Sequence, residues 1–285
     1  MNKEHSSPGD RRSCTRTWIP PNVYNRDYFL STMVEGYAEY ADHYGISPFK
    51  RSLVDLNDLH PGQSFLDVGC GRGEILFHAL DRGVKGVGID YSRDAIQLTK
   101  EGLNTREVNA DLVLADATNL PFKDGAFDRT FGGDLIEHLT ESSATDCLLE
   151  MVRVTRPGGK FLVHTCPNRN FRRIVAPLLN IFFHLVGRKE AWTRMKEHLD
   201  CGAQVHIFEY DLPRLKKQLR HIRSHFQVNA KCWLSTDLLR GGQHLYAREV
   251  ARFPLLKTLF AIIGKTPLKR ILSNDMYIAG TRQRI

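Results

Sequence analysis

Apolar and polar positions change their rhythm several times along the chain. Residues 1–22 mix Ser, Pro, Gly, Asp and Arg without a period and end in Pro20-Pro21, which predicts a disordered arm. Tyr37, Tyr40 and Tyr44 recur at i, i+3 and i+7, which predicts one aromatic helical face within an N-terminal helical cover over 23–60. After Pro61-Gly62, short β-branched or apolar runs alternate with helix-length segments. The runs are 64–68, 85–89, 112–115, 127–131 and 160–164. This is the βαβ rhythm of a parallel sheet covered on both faces. Ser92 with Asp94 opens one helix, Ser142-Ser143 opens another, and Pro157-Gly158-Gly159 stops the second. Beyond Pro167 the rhythm breaks for about forty residues. It resumes with a helix over 211–221, a strand over 226–234 and a closing strand over 274–281.

The most informative stretch is Phe65-Leu66-Asp67-Val68-Gly69-Cys70-Gly71-Arg72-Gly73-Glu74, a strand running into a glycine-rich turn that opens a helix. Glycines at such a turn let a ligand approach the backbone, and the helix start offers N–H groups to it. A dinucleotide fingerprint would need glycine at Glu74, and a carboxylate at that helix start disfavours a pyrophosphate. Asp90 ends the next strand, where a carboxylate can accept from both hydroxyls of a ribose, or simply cap the helix that follows. Leu114-Ala115-Asp116-Ala117 comes third and Gly132-Gly133-Asp134-Leu135-Ile136-Glu137-His138 fourth.

The D-x-G-x-G-x-G run resembles the first motif of the class I S-adenosylmethionine-dependent methyltransferases, and the resemblance continues in order through Lys160. It implies a Rossmann-like α/β fold: a mostly parallel seven-stranded sheet with helices on both faces and an antiparallel edge strand. The methyltransferase domain would run over 61–285, with a substrate-side excursion at about 168–205. The implied cofactor is S-adenosylmethionine. Gly69, Cys70, Gly71 and Gly73 would cradle its methionyl end, with Asp67 near its ammonium. Asp90 and Tyr91 would meet its ribose, Asp116 and Ala117 its adenine, and Asp134 and Leu135 its sulfur.

His138 is the candidate general base, since an imidazole suits proton removal at neutral pH; alternatively it only orders its loop. Asp134-x-x-Glu137-His138 is similar to the E-x-x-E-H metal-binding segment of quinone-precursor O-methyltransferases, but its first acid is one methylene shorter, and no metal is expected. The family's acceptor-choosing segments point to Tyr24, Tyr28, Phe29, His138, His198 and His206 as acceptor-pocket residues.

Composition sets the remaining bounds. With 42% hydrophobic and 25% charged residues the chain falls among ordinary folded proteins. Cys14, Cys70, Cys147, Cys166, Cys201 and Cys232 lie far apart with no C-x-x-C pair, which argues against a disulfide scaffold or zinc site. Together with the lack of an apolar leader, this predicts a cytoplasmic protein. The net charge of +8 divides unevenly: 18 basic and 24 acidic residues over 1–160 give −6, and 22 and 8 over 161–285 give +14.

Within the basic half, Ile174–Val186 and Phe253–Ile263 are apolar and carry basic flanks. Both are shorter than the ~20 residues needed to span a bilayer. Such segments either lie in an anionic membrane interface or pack as lid helices with their charges in water. The expected acceptor is a small hydrophobic or lipid-like molecule methylated on O, C or N, with peripheral membrane contact. RNA is the competing acceptor, disfavoured because the basic residues interleave with Leu, Ile and Phe rather than with stacking aromatics. A non-catalytic cofactor-binding or partner-binding protein on the same scaffold is the remaining alternative.

Overall fold

The structure, a computed structural model, describes residues 18–31, 34–235 and 252–284. Its strands are β1 (Ser64–Val68), β2 (Lys85–Asp90), β3 (Asp111–Leu114), β4 (Phe127–Gly133), β5 (Thr155–Thr165), β6 (Val228–Ser235) and β7 (Asp275–Arg282). They form one sheet in the order β3-β2-β1-β4-β5-β7-β6. β1 to β5 are mutually parallel, and β7 runs antiparallel to both β5 and β6. The antiparallel strand thus stands in the edge half of the sheet, with β6 outside it. The chain steps outward from β1 to β3 and then restarts on the other side of β1 with β4. That reversal opens a crevice at the carboxyl ends of β1 and β4, the usual ligand position in open α/β sheets.

Alternation along the strands divides the core. Leu66 and Val68 of β1 face one buried cluster with Phe161, Val163 and Ile278, whereas Phe65 faces another with Phe131, Leu162 and Tyr277. Three helices form the N-terminal cover: α1 (Arg26–Phe29), α2 (Tyr37–Ala41) and α3 (Pro48–Leu56). The expected single face of Tyr37, Tyr40 and Tyr44 is not formed. The chain leaves the helix after Ala41, and His43 and Tyr44 take left-handed φ of 65° and 54°. Tyr44 still meets Tyr40 edge-on, at 4.8 Å between ring centres, but through a turn.

α4 (Glu74–Leu80) follows β1, and α5 (Arg93–Thr105) follows β2. Ser92 caps α5 by accepting from the Ala95 N–H at 3.2 Å. α6 (Glu141–Val154) begins one residue before the serine pair, capped by Thr140, which accepts from the Ser143 N–H at 3.1 Å. In the broken stretch the chain forms α7 (Ala176–Leu185) and α8 (Lys189–Val205). With the helix Pro254–Ile263 they build an apolar cluster separate from the sheet core. α9 (Leu212–His225), capped by Asp211, leads into β6. No helix of the described residues is long and apolar enough to cross a membrane.

Candidate active site

Two adjoining lobes, of about 220 and 190 Å³, occupy the crevice and share Tyr28, Phe29, Gly69, Gly71, Asp134 and His138. The glycine turn forms the wall between them because the backbone there takes conformations that side chains resist. Gly69, Gly71 and Gly73 have φ of 72°, 54° and 84°. A Cβ on Gly73 would lie 2.6 Å from Phe77 Cζ and 2.7 Å from Thr99 Cγ2. The Gly69 and Cys70 N–H groups both donate to the Ile89 carbonyl, at 2.9 and 2.8 Å, which fastens the turn to β2. The Cys70 thiol is buried against Thr99, 3.9 Å from its hydroxyl, while the residue contributes to the first lobe.

Three strand-end acids surround the turn. Asp67 is buried, its Oδ2 has no hydrogen-bond partner in the protein, and it lines the first lobe. Burial, reinforced by the nearby Asp90 carboxyl, pushes it up to about 7. A buried carboxylate oxygen left open beside a glycine cradle fits an ammonium group. Asp90 lines the second lobe, and burial raises it to about 6 even though backbone N–H groups favour its ionised form. Its Oδ2 accepts from Gly71 N–H at 3.0 Å and its Oδ1 from Ser92 N–H at 2.9 Å. Asp90 thus braces the turn and faces the cavity, while the cap of α5 is Ser92 rather than Asp90. Asp116 is exposed at the rim of the second lobe, with Ala117 beside it, and its Oδ1 accepts from Thr118. Tyr91 and Leu135 complete that lobe.

The N-terminal cover closes the cleft. Residues 1–17 of the expected arm lie outside the described residues, but Trp18 and Ile19 line the second lobe, and Ile19 is buried. Tyr28 and Phe29 line both lobes, and Tyr24 lines the second. Arg26 latches this segment to α5: its backbone N–H donates to Asp94 at 2.9 Å and its guanidinium to Glu101 at 3.0 and 2.8 Å. From inside the glycine turn, buried Arg72 donates to the carbonyls of Phe29 at 2.9 Å and Glu35 at 3.1 Å while pairing with Glu74.

His138 stands between the lobes. Its Nδ1 lies 2.8 Å from the Tyr24 hydroxyl and 3.1 Å from the Val205 carbonyl oxygen. The hydroxyl can donate or accept whereas the carbonyl only accepts, and the ring's proton position follows its tautomer. Burial holds the imidazole below its ordinary value, which favours the neutral ring. His206 meets His138 edge-on at 5.0 Å and lines the first lobe. His198 belongs to α8, but its side chain lies outside the described residues.

The structure divides the Asp134, Glu137 and His138 trio between two clusters. Asp134, with a left-handed φ of 50°, turns to His164 and Cys166; Glu137 groups with His138 and His206. Among the described residues the three therefore do not group as one ligand set.

The sequence alone does not single out His164 or Asn274 in the inner wall, and it marks Glu137 only through the metal-segment likeness. His164, fully buried at the end of β5, lies with Nδ1 3.0 Å from Asp134 and Nε2 3.1 Å from Asp275. Burial alone would lower it, but the flanking carboxylates outweigh that and hold it at about 10, while the imidazolium lowers Asp134. Glu137 is buried, accepts from the Thr165 hydroxyl at 2.8 Å through Oε2, and leaves Oε1 without a protein partner. Burial and then Asp134 push it up to about 8. Asn274 Oδ1 is likewise buried without a partner, and both residues line the first lobe. The available signal was positional: each is a polar residue at or beside a strand end on the crevice side.

Residues 65–159 match the family model described as a methyltransferase domain. Demethylmenaquinone methyltransferase from Paenarthrobacter aurescens is 34% identical over 115 residues, 40% of this chain and 43% of that one. The chain spans less than half the length of this and other curated relatives that it matches. Among solved structures, geranyl diphosphate methyltransferase in complex with S-adenosylmethionine aligns with a TM-score of 0.54, 17% identity, and 89% and 93% of the two chains covered. The [4+2]-cyclase SpnF aligns with a TM-score of 0.57, 16% identity, and 94% and 99% covered. Taken with the seven-stranded sheet and the crevice at its reversal point, the match over residues 65–159 supports a class I S-adenosylmethionine-dependent methyltransferase.

Proposed function

We propose that the protein transfers the methyl group of S-adenosylmethionine to an O, N or C atom of a small hydrophobic, lipid-like molecule. The catalytic domain is residues 61–285, under the 23–60 cover and the 168–205 excursion. The observation that carries the reading is the open Asp67 carboxylate beside the glycine cradle, with Asp90 and Asp116 following along one cleft. When bound, the cofactor supplies a methyl group on a sulfonium, which leaves as a neutral thioether. Little covalent chemistry is left to the protein, whose tasks are alignment and exclusion of water.

Asp67 holds the ammonium, the turn of Gly69, Cys70, Gly71 and Gly73 holds the methionyl chain, Asp90 and Tyr91 hold the ribose, and Asp116 with Ala117 the adenine edge. Asp134 and Leu135 flank the sulfur. Tyr24, Tyr28, Phe29 and His206 wall the acceptor, with His198 a further candidate from α8. The unpartnered Asn274 amide oxygen asks for a hydrogen-bond donor, which favours an acceptor carrying O–H or N–H over one attacked at carbon. The neutral His138 ring takes the proton released as the acceptor heteroatom bonds to the methyl carbon. A cytoplasmic, membrane-peripheral location goes with this reading.

Because a cyclase shares the fold, the test reads methyl transfer directly. Calorimetry with S-adenosylhomocysteine is expected to show binding, and labelled methyl groups should enter lipid extract or quinone precursors. Binding without label in any acceptor class would support the non-catalytic alternative, and label confined to RNA would overturn the acceptor class.

A further inference from the structure

We infer that α7 and the helix Pro254–Ile263 form a surface that docks the protein on an anionic lipid bilayer. The inference deepens the lipid-like acceptor reading but stands on a different part of the molecule. Each helix has two apolar faces. On α7 and its N-terminal extension, Val175, Leu179 and Phe183 are buried against α8, while Ile174, Leu178, Ile181 and Leu185 form an outward row at 44%, 61%, 57% and 81% exposure. Their spacing of four, three and four residues makes that row a continuous helical stripe. The second helix repeats the arrangement. Phe253 and Leu256 pack inward, with Phe253 edge-on to Phe182 at 5.0 Å, while Leu255, Leu259 and Ile262 are exposed at 88%, 50% and 58%. Scattered exposed leucines are ordinary, but two stripes on adjoining helices are not.

Charge selects the occupant. Neither 169–189 nor 252–272 contains an Asp or Glu, and each contains five Lys or Arg. Arg172 pairs with Glu209, whereas Arg173, Lys189, Lys257, Lys265, Lys269 and Arg270 are exposed around the stripes. Cations bordering an outward apolar row suit anionic headgroups above an acyl interior. Self-association through this face would bring two cationic rims together. The surface is also joined to the first lobe of the cleft. The buried Asn168 side chain donates to the Arg270 carbonyl at 3.0 Å, and its backbone N–H donates to the Asn274 carbonyl at 2.9 Å. An acceptor drawn from the bilayer would therefore arrive beside the lobe that Asn274 lines.

The test is flotation of the full chain with phosphatidylcholine vesicles with or without phosphatidylglycerol. Binding is expected to need the anionic lipid and to weaken with salt. L185E/L255E alters two of the most exposed side chains and should abolish flotation while leaving S-adenosylhomocysteine affinity intact, which shows the fold is kept. K257E/K265E should lower partitioning on anionic vesicles on the order of twentyfold, at about fivefold per lost cation. Three results would overturn the inference: no flotation with either lipid, flotation unchanged in both variants, or a dimer that L185E/L255E dissolves in the absence of lipid binding. Vesicle binding is read without turnover, so its failure and that of the methyltransferase reading are separable.

Discussion

The two lobes of the cleft are held in different ways. Around the second lobe the geometry comes from backbone: Gly69 and Cys70 bond the Ile89 carbonyl, and Gly71 and Ser92 bond the two oxygens of Asp90. All of that lies within a short span after β1. The inner wall of the first lobe is assembled from side chains of remote segments, with Glu137, Cys166, His206 and Asn274 each arriving on a different element. Two of its buried oxygens are left without protein partners. A backbone-built pocket is pre-organised for one ligand and tolerates little change. A side-chain-built pocket can be refitted to a new acceptor by substitutions that leave the sheet intact.

Placing the same substitution in the turn and in the excursion should show the largest difference. G73A puts a methyl group 2.6 Å from Phe77 at a φ of 84°. It should cost about 1–2 kcal/mol for the left-handed backbone and about 1–3 more for overpacking. Gly187, which ends α7, has a φ of 71° with nothing within 4 Å of an added Cβ. G187A should therefore incur the backbone cost alone. Thermal unfolding of both variants checks the contrast, and equal losses would mean the turn relaxes more easily than its contacts imply.

A second effect, close to the first in size, belongs to the boundary between lobes. H138Q keeps a hydrogen-bonding side chain beside Tyr24 and Val205 but removes the basic ring nitrogen. We expect kcat to fall about a hundredfold or more, with S-adenosylhomocysteine affinity unchanged and the acidic limb of the kcat profile lost. An unaltered kcat would assign His138 to ordering its loop.

Legibility followed the same division. The strands up to β5 and the glycine turn depend on local periods and on residues that only a tight turn requires, so 64–68, 85–89 and 127–131 could be read directly. Asp67, Asp90 and Asp116 could be found because each sits at a strand end. The inner wall could not. His164 meets Asp275 across 111 residues, and Tyr24 meets His138 across 114, pairings that no local pattern encodes. The tyrosine periodicity at 37, 40 and 44 misled for a related reason: the aromatic contacts form, but tertiary packing brings Tyr44 to Tyr40 through a turn. Arg72 passed as a spacer within the glycine motif, although its guanidinium ties the cover to the turn.

The smallest effect separates the lobes by pH. Asp67, pushed up to about 7 by burial and then by Asp90, loses its charge below that value, so affinity for the cationic cofactor should fall toward tenfold per pH unit. The Lys50 and Glu74 charges also act on this carboxyl, in opposite senses, and Asp90 at about 6 adds its own loss further down. Stability of the ligand-free protein runs the other way. The unfolded carboxyl titrates near 4, the folded one keeps its proton to about 7, and stability from this group therefore declines as pH rises between those values. The cofactor-induced rise in Tm should accordingly widen from pH 5.5 to pH 7.5. On the inner wall His164, held at about 10, contributes stability that is complete below its unfolded value near 6.5 and is lost as pH rises through 10. D67N should weaken binding at pH 7.5 and flatten its dependence between pH 6 and 8, leaving the alkaline loss of stability in place. If D67N kept the full slope of affinity in that range, the titrating group would lie elsewhere, and the open carboxylate would not be the ammonium's partner.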